Sequence, residues 1–197
     1  MRITGVLLAA GRAQRFGGDK LLARFVEGPN AGAGVGVVAY RNLCAAVDDV
    51  IVVVRPADQV LRQTFEASGA RIVTAERADD GLGATIAAAV QATDTSDAYV
   101  FALADMPFFR PATIARVAQE LAKGASIVAP RHEGRRGHPV GFSALHRHAL
   151  SRLAGDEGAR SLVEQAAGDV ALVDVDDAGV LRDIDVPEPG LVAFRAR

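Results

Sequence analysis

Val6, Leu7 and Leu8 run without interruption into Ala9-Ala10-Gly11, and the chain then passes through Gly17 and Gly18 to Lys20. A continuous apolar run of this kind reads as a strand buried on both faces, which requires helices on each side of a parallel sheet. The glycines after it let the backbone turn and approach a ligand closely, and Arg12, Arg15 and Lys20 set three positive charges against that of Asp19. A donor-rich, net-positive loop at the carboxyl end of a strand is a place for phosphate. Its spacing matches neither of two common phosphate loops. Five residues separate Gly11 from Gly17 where a P-loop has four, Leu21 follows Lys20 where a P-loop has serine or threonine, and no Gly-x-Gly-x-x-Gly follows the strand.

The same rhythm continues along the chain. Strands are predicted over 3–9, 50–54, 71–74, 99–104 and 127–129, the last closed by Pro130, and helices over 37–46, 58–68, 85–92 and 111–123, the last begun by Pro111. Alternation of this type predicts an open, doubly wound, mostly parallel α/β sheet of Rossmann-like form, within a single domain over residues 1–197. After residue 130 the rhythm lapses. Residues 131–142, RHEGRRGHPVGF, read as a loop or ribbon over the sheet edge, followed by helices over 144–153 and 158–167. A strand over 170–175 turns at Asp176-Asp177-Ala178-Gly179 into Val180-Leu181, which predicts a small C-terminal hairpin. The Gly/Ala-rich segment 27–36 admits two readings, an active-site flap or a tolerated insertion, and the insertion is preferred.

With 50% hydrophobic and 23% charged residues the chain has the composition of a folded globular protein. A net charge of −2 offers no footprint for nucleic acid, and no apolar run has the length of a membrane span. Met1-Arg2-Ile3 leads directly into a strand without a signal-peptide pattern, so a cytoplasmic location is expected. The lone Cys44, in an apolar helical stretch, reads as core filler.

Ligands of open α/β sheets collect outside the carboxyl ends of the strands. Two further elements are predicted to meet the first loop there. Ala102-Leu103-Ala104-Asp105-Met106-Pro107 delivers Asp105 to a strand end, and Asp183-Ile184-Asp185-Val186-Pro187-Glu188 carries Asp185. Two carboxylates facing a cationic phosphate loop suit Mg2+, which takes one or two carboxylates plus phosphate oxygens and water. Each aspartate also has a plainer reading as a turn or cap residue, which stays open. Residues 131–138 set Arg131, His132, Arg135, Arg136 and His138 against Glu133. Such a loop is either solvated surface or the receiver of an anionic acceptor, and His138 is either a loop histidine held by Pro139 or a substrate contact.

Residues 8–20, LAAGRAQRFGGDK, resemble the LAAGxSxRxGxxK signature of nucleotidyltransferases at Leu8, Ala9, Ala10, Gly11, Arg15, Gly17 and Lys20, with Ala13 at the serine position. Within that MobA-like group the chain is most similar to the branch that transfers a nucleotide to molybdopterin. Gly81-Leu82-Gly83-Ala84-Thr85 resembles the Gly-x-x-Ser-Ser turn of molybdopterin cytidylyltransferases, Arg136 to Phe142 their Gly-His-Pro segment, and Gly155 to Arg160 their Gly-Asp-x-Gly-Ala-Arg turn. Ala75 stands where that branch has asparagine, and Val186 where its DIDTPE-type segment has threonine. The resemblance implies a Mg2+-dependent transfer of CMP from CTP to the terminal phosphate of molybdenum-bound molybdopterin, with pyrophosphate released. It implies nucleotide contacts at Leu8, Ala9, Ala10, Gly11, Arg15, Lys20, Gly81, Thr85 and Asp105, catalytic roles for Arg15, Lys20 and Asp105, and metal ligation by Asp105 and Asp185. Arg135, Arg136 and His138 are expected to receive the acceptor. GTP in place of CTP remains an alternative, because Gly18-Asp19-Lys20 resembles the guanylyl branch. So does a non-catalytic protein that binds the cofactor or nucleotide for delivery, and a recipient molybdoenzyme is a further expected partner.

Overall fold

The computed structural model describes residues 1–11, 19–93, 95–166, 168–186 and 189–192. Its centre is a mixed, mostly parallel sheet. The strands β1 (Ile3–Leu8), β3 (Asp49–Val54), β4 (Arg71–Thr74) and β5 (Ala98–Leu103) lie side by side in the order β4-β3-β1-β5, all parallel. Successive residues of β1 and β3 point to opposite faces, and both faces are covered, so the strands are apolar over Val6–Leu8 and Val50–Val54. Leu7, Val52 and Val54 pack with Phe65, Phe109 and Ile114 on one side, while Val6, Ile51 and Val53 pack with Phe101, Ile86 and Val90 on the other. The layers are made by α1 (Val35–Cys44), α2 (Gln59–Ala67), α3 (Leu82–Gln91) and α4 (Pro111–Ala122). Among the described residues no helix is long and apolar enough to cross a membrane.

The second half forms the expected ribbon over 131–136, and departs from expectation over 140–143. Strand β6 (Ile127–His132) runs on through Pro130, whose carbonyl accepts from Gly137 N at 2.9 Å. It turns back into β7 (Arg135–Arg136), and β8 (Val140–Ser143) then enters the middle of the sheet, antiparallel to β5 on one side and β6 on the other. Because two antiparallel pairings intervene, β6 points the same way as β5, and its carboxyl end lies on the same side as Asp105. Strand β9 (Val170–Asp174) pairs parallel with β6. The predicted helix over 144–153 is a 3-10 turn at Ala144–His146 followed by the short α5 (Arg147–Leu150), and α6 (Arg160–Gln165) falls within the predicted 158–167.

The predicted C-terminal hairpin is not formed. Val180 and Leu181 lie in a 3-10 turn, Ala178–Leu181, whose cap Asp177 accepts from Gly179 N at 3.1 Å. The same buried carboxylate accepts from Arg110 N at 2.9 Å and Thr113 Oγ1 at 2.6 Å, so it supplies the cap that the N-terminus of α4 lacks from its own side chain. Replacing Asp177 by alanine removes three hydrogen bonds at a buried site. Urea denaturation should report a loss of about 2–4 kcal/mol of stability. A loss below about 0.5 kcal/mol would show that the cap is dispensable.

A small two-stranded sheet joins β2 (Arg24–Phe25) to β10 (Leu191–Val192), tying the end of the chain to the start of the segment 27–36. That segment closes on itself through Gly32 N to Phe25 O and Phe25 N to Ala33 O before α1 begins. Cys44 corrects another expectation: it is exposed at the last turn of α1, because Tyr40 and Leu43 occupy the core face.

Candidate active site

Strand β1 ends at Leu8, and Ala9 N donates to Val53 O, which carries the backbone of the first loop across the top of β3. Gly11 is exposed, with open space around its α-carbon. Arg12, Arg15, Gly17 and Gly18 lie outside the described residues. The chain returns at Asp19, whose side chain caps a 3-10 turn, Lys20–Leu22, by accepting from Leu21 N at 3.1 Å. That turn fixes where the Lys20 side chain starts. Its ammonium reaches inward to Asp105 Oδ2 at 2.6 Å and Asp185 Oδ1 at 3.2 Å.

Asp105 follows β5 directly, and Ile184 N donates to its backbone carbonyl at 2.9 Å. Ile184 is fully buried with Ala23 and Val35, so the late segment is anchored by one apolar side chain flanked by two carboxylates. Those carboxylates, Asp183 and Asp185, join Asp105 in a cluster whose ligand oxygens all lie within 4.8 Å of one another. Asp183 is therefore a member of the site that attention to Asp185 alone passed over. Alternation along an extended Asp-Ile-Asp puts both acids on the face opposite the isoleucine, and this was available in the sequence. Burial pushes the Lys20 amine down, but Asp105 and Asp185 together outweigh it and hold the amine above its ordinary value. The ammonium is thus firmly charged.

Two cavities adjoin at this end of the sheet. The first, about 510 Å³, is lined by Leu8, Ala9, Ala10, Gly11, Lys20 and Asp105 from the elements just described. Gly81 and Thr85, at the amino end of α3, complete the expected set, so every described residue expected to touch nucleotide lies on this one wall. Arg55, Asp79 and Asp156 also line it and were not expected. Arg55 leaves the carboxyl end of β3, donates from Nε to Ala10 O at 2.6 Å and pairs with Asp79, which ties the first loop to the turn before α3. A cation at the end of the strand beside β1 was a readable signal. Ala75, by contrast, is fully buried in the core.

The second cavity, about 380 Å³, shares Leu8, Leu82 and Leu103 with the first and is otherwise more apolar, with Phe101 and Phe142 on its wall. Arg136 and His138 line it, together with Glu157 and Arg160. Arg135, one residue along β7 and therefore facing the other way, is not on this wall. Burial pushes the His138 imidazole below its ordinary value, Arg136 acting in the same direction and Asp105 and Asp183 against it. His138 is thus close enough to the acidic cluster to feel it. Part of the basic loop is neutralised: Arg131 makes a two-point bond to Asp174 at 2.6 and 2.8 Å, and His132 Nδ1 lies 3.0 Å from Val175 O.

The turn 155–158 separates the cavities, with Asp156 on the first wall and Glu157 on the second. It packs directly on α3. Gly83 N donates to Gly155 O at 2.8 Å, and a Cβ at Gly81 would lie 2.4 Å from Gly155 C, so glycine is required there on space as well as on its φ of 102°. Three hard oxygen ligands, one of them on the wall of a cavity that also carries Lys20 and Arg55, fit a divalent cation of the Mg2+ or Mn2+ type, with Asp105, Asp183 and Asp185 as the residues that would hold it.

Residues 5–170 match the MobA-like NTP transferase domain, and the chain belongs to that family of nucleotidyltransferases. It is 30% identical over 195 residues to nicotine blue oxidoreductase of Paenarthrobacter nicotinovorans, covering 94% of this chain and 93% of that protein. It is also 30% identical over 151 residues, 76% of this chain and 67% of the relative, to a probable molybdenum cofactor guanylyltransferase of Chloroflexus aggregans. Among solved structures, Rv0371c from Mycobacterium tuberculosis H37Rv has a TM-score of 0.77 at 28% identity, with 94% of this chain and 93% of that one covered. Its manganese complex has a TM-score of 0.71 at 26% identity, with 89% of each chain covered.

Proposed function

We propose that the chain transfers a nucleoside monophosphate, CMP from CTP, to the terminal phosphate of molybdopterin and releases pyrophosphate. The observation that carries this reading is the pair of adjoining cavities, with Asp105 of the acidic cluster on the wall of the first and His138, which feels Asp105 and Asp183, on the wall of the second. The first, rimmed by the strand-end loop, Lys20 and the amino end of α3, takes the triphosphate. The second, apolar with Arg136 and His138 on its wall, takes a flat heterocycle carrying a phosphate.

In the reaction an oxygen of the acceptor phosphate bonds to the α-phosphorus of the nucleotide as the bond from that phosphorus to the β-bridging oxygen breaks. Two anions must be brought together, so neutralisation and alignment are the protein's main tasks. Asp105, Asp183 and Asp185 would hold a divalent cation, which would supply charge neutralisation at the phosphates. Lys20 stabilises the departing pyrophosphate, the amides of the first loop hold its oxygens, and Arg136 steers the acceptor. A phosphate monoester is already ionised at neutral pH, so the mechanism needs no general base.

The choice of CTP rests on the Leu-Ala-Ala-Gly start and the Gly-His-Pro segment. GTP is the second reading, favoured by the guanylyltransferase relative from Chloroflexus aggregans. Pyrophosphate release measured with each of the four nucleoside triphosphates, with and without molybdopterin, separates them. Acceptor-dependent release with CTP above GTP supports the first reading and the reverse order the second. Silence with all four would leave the redox activity named in the Paenarthrobacter nicotinovorans relative as the better guide.

Arg136→Ala should raise the Michaelis constant for the pterin phosphate about tenfold, the worth of one charge-assisted contact, and leave that for the nucleotide within twofold. The defect should shrink as salt screens the attraction in the wild type. Weakened nucleotide binding with an unchanged acceptor constant would move Arg136 to the triphosphate side.

A further inference from the structure

Lys20 is held where a divalent cation would need to be. Its ammonium lies 2.6 Å from Asp105 Oδ2 and 3.2 Å from Asp185 Oδ1, and both oxygens belong to the cluster that fits such a cation. The lysine is not a loose surface group, since its side chain is only 11% exposed and its backbone is set in the Lys20–Leu22 turn. We propose that Lys20 is a built-in competitor for the divalent-cation site, so that the cation binds strongly only once the ammonium has moved to another anion. This rests on the metal reading of the aspartate cluster given above.

Divalent cations of this type sit at about 2.1 Å from carboxylate oxygens, and an ammonium bonded to the same two oxygens cannot remain beside one without close like-charge contact. Each species satisfies the same negative charge, so binding one displaces the other. Lysine suits exchange of this kind, because its charge is a point on a flexible four-carbon stem with rotatable donors. A second anion is within its reach: Lys20 lines the same cavity as the first loop and the amino end of α3, where the triphosphate is placed. A phosphate there offers the ammonium a new partner in place of Asp105 and Asp185, which makes nucleotide and cation mutually supportive ligands.

The test measures Mn2+ binding to the full chain with no nucleotide present, by electron paramagnetic resonance of the free ion. Lys20→Met keeps the length of the stem and removes the charge, and Lys20→Gln serves as a second variant should the first fold poorly. At least tenfold tighter Mn2+ binding than wild type in the folded variant is expected, with a larger rise in melting temperature on adding Mn2+. Arg55→Met, which removes a cation of the same cavity that is not bonded to the cluster, should change Mn2+ affinity less than threefold. Unchanged or weaker Mn2+ binding in both Lys20 variants would overturn the proposal, as would an equal gain in Arg55→Met, which would reduce the effect to general electrostatics. Asp105→Asn, alone and combined with Lys20→Met, separates the two ideas. Loss of Mn2+ binding in both supports the cluster as the metal site whatever Lys20 does, whereas retention in both sinks the metal reading and the competition with it.

Discussion

Asp105→Asn should lower turnover at least a hundredfold while leaving a folded protein. The expectation follows from what the substitution keeps and what it removes. Asparagine has the same shape, and the backbone carbonyl of residue 105 still accepts from Ile184 N, so the late segment stays in place. The carboxylate, however, is the shorter of the two partners of Lys20 and a member of the three-acid cluster. A neutral amide neither offsets a divalent cation nor forms an ion pair with the ammonium, and loss of about 3–4 kcal/mol of transition-state stabilisation corresponds to the stated rate effect. Stability should fall by only about 1–2 kcal/mol, because Asp185 remains available to Lys20. Turnover within tenfold of wild type at saturating Mg2+ or Mn2+, measured by pyrophosphate release, would remove Asp105 from the chemistry.

Lys20→Ala should slow turnover by about 2–4 kcal/mol, roughly 30-fold to a thousandfold, and it should do so with little change in the acceptor's Michaelis constant. In the proposed reaction Lys20 stabilises charge that develops on the leaving pyrophosphate, so its loss is expected to fall on the chemical step more than on ground-state binding. Removing it also leaves Asp105 and Asp185 without their shared cation. That makes the variant informative in two directions at once, since the competition argued above gains metal affinity from the change that costs rate. A variant slowed only through its nucleotide Michaelis constant would assign Lys20 to uniform binding.

Much of this site could be read from the chain because its parts obey local rules. Val6 to Leu8 and Val50 to Val54 had to be buried on both faces, which fixed a parallel sheet and the end at which ligands collect. Asp105 was legible because a buried strand ends at it. The middle of the sheet was not legible, for a physical reason: Val140-Gly141-Phe142-Ser143 is short and becomes a strand only through pairing with Tyr99 to Phe101 on one side and Ile127 and Val128 on the other. Gly141 marks the fit, since a Cβ there would lie 2.8 Å from Leu121 Cδ1 of α4. No window of sequence displays that partner. Asp177 was similarly hidden, because it looked like a hairpin turn and instead caps a helix more than 60 residues earlier in the chain. Arg55 and Asp156 differ from these: a cation at a strand end and the Gly155 to Arg160 turn were both visible in the chain, but their place on the wall of the first cavity depends on the fold.

Under the proposed function a nucleotide held in the first cavity, beside Asp105, is transferred to an acceptor in the second. This transfer is tested most directly with CTP labelled with 32P at the α-phosphate, supplied with Mg2+ and molybdopterin in a single turnover and followed by separation of the products. The account predicts that the label leaves the triphosphate and appears in a pterin dinucleotide at the rate at which unlabelled pyrophosphate is formed. Label that stays in the triphosphate, or appears as free CMP whether or not molybdopterin is present, would contradict it.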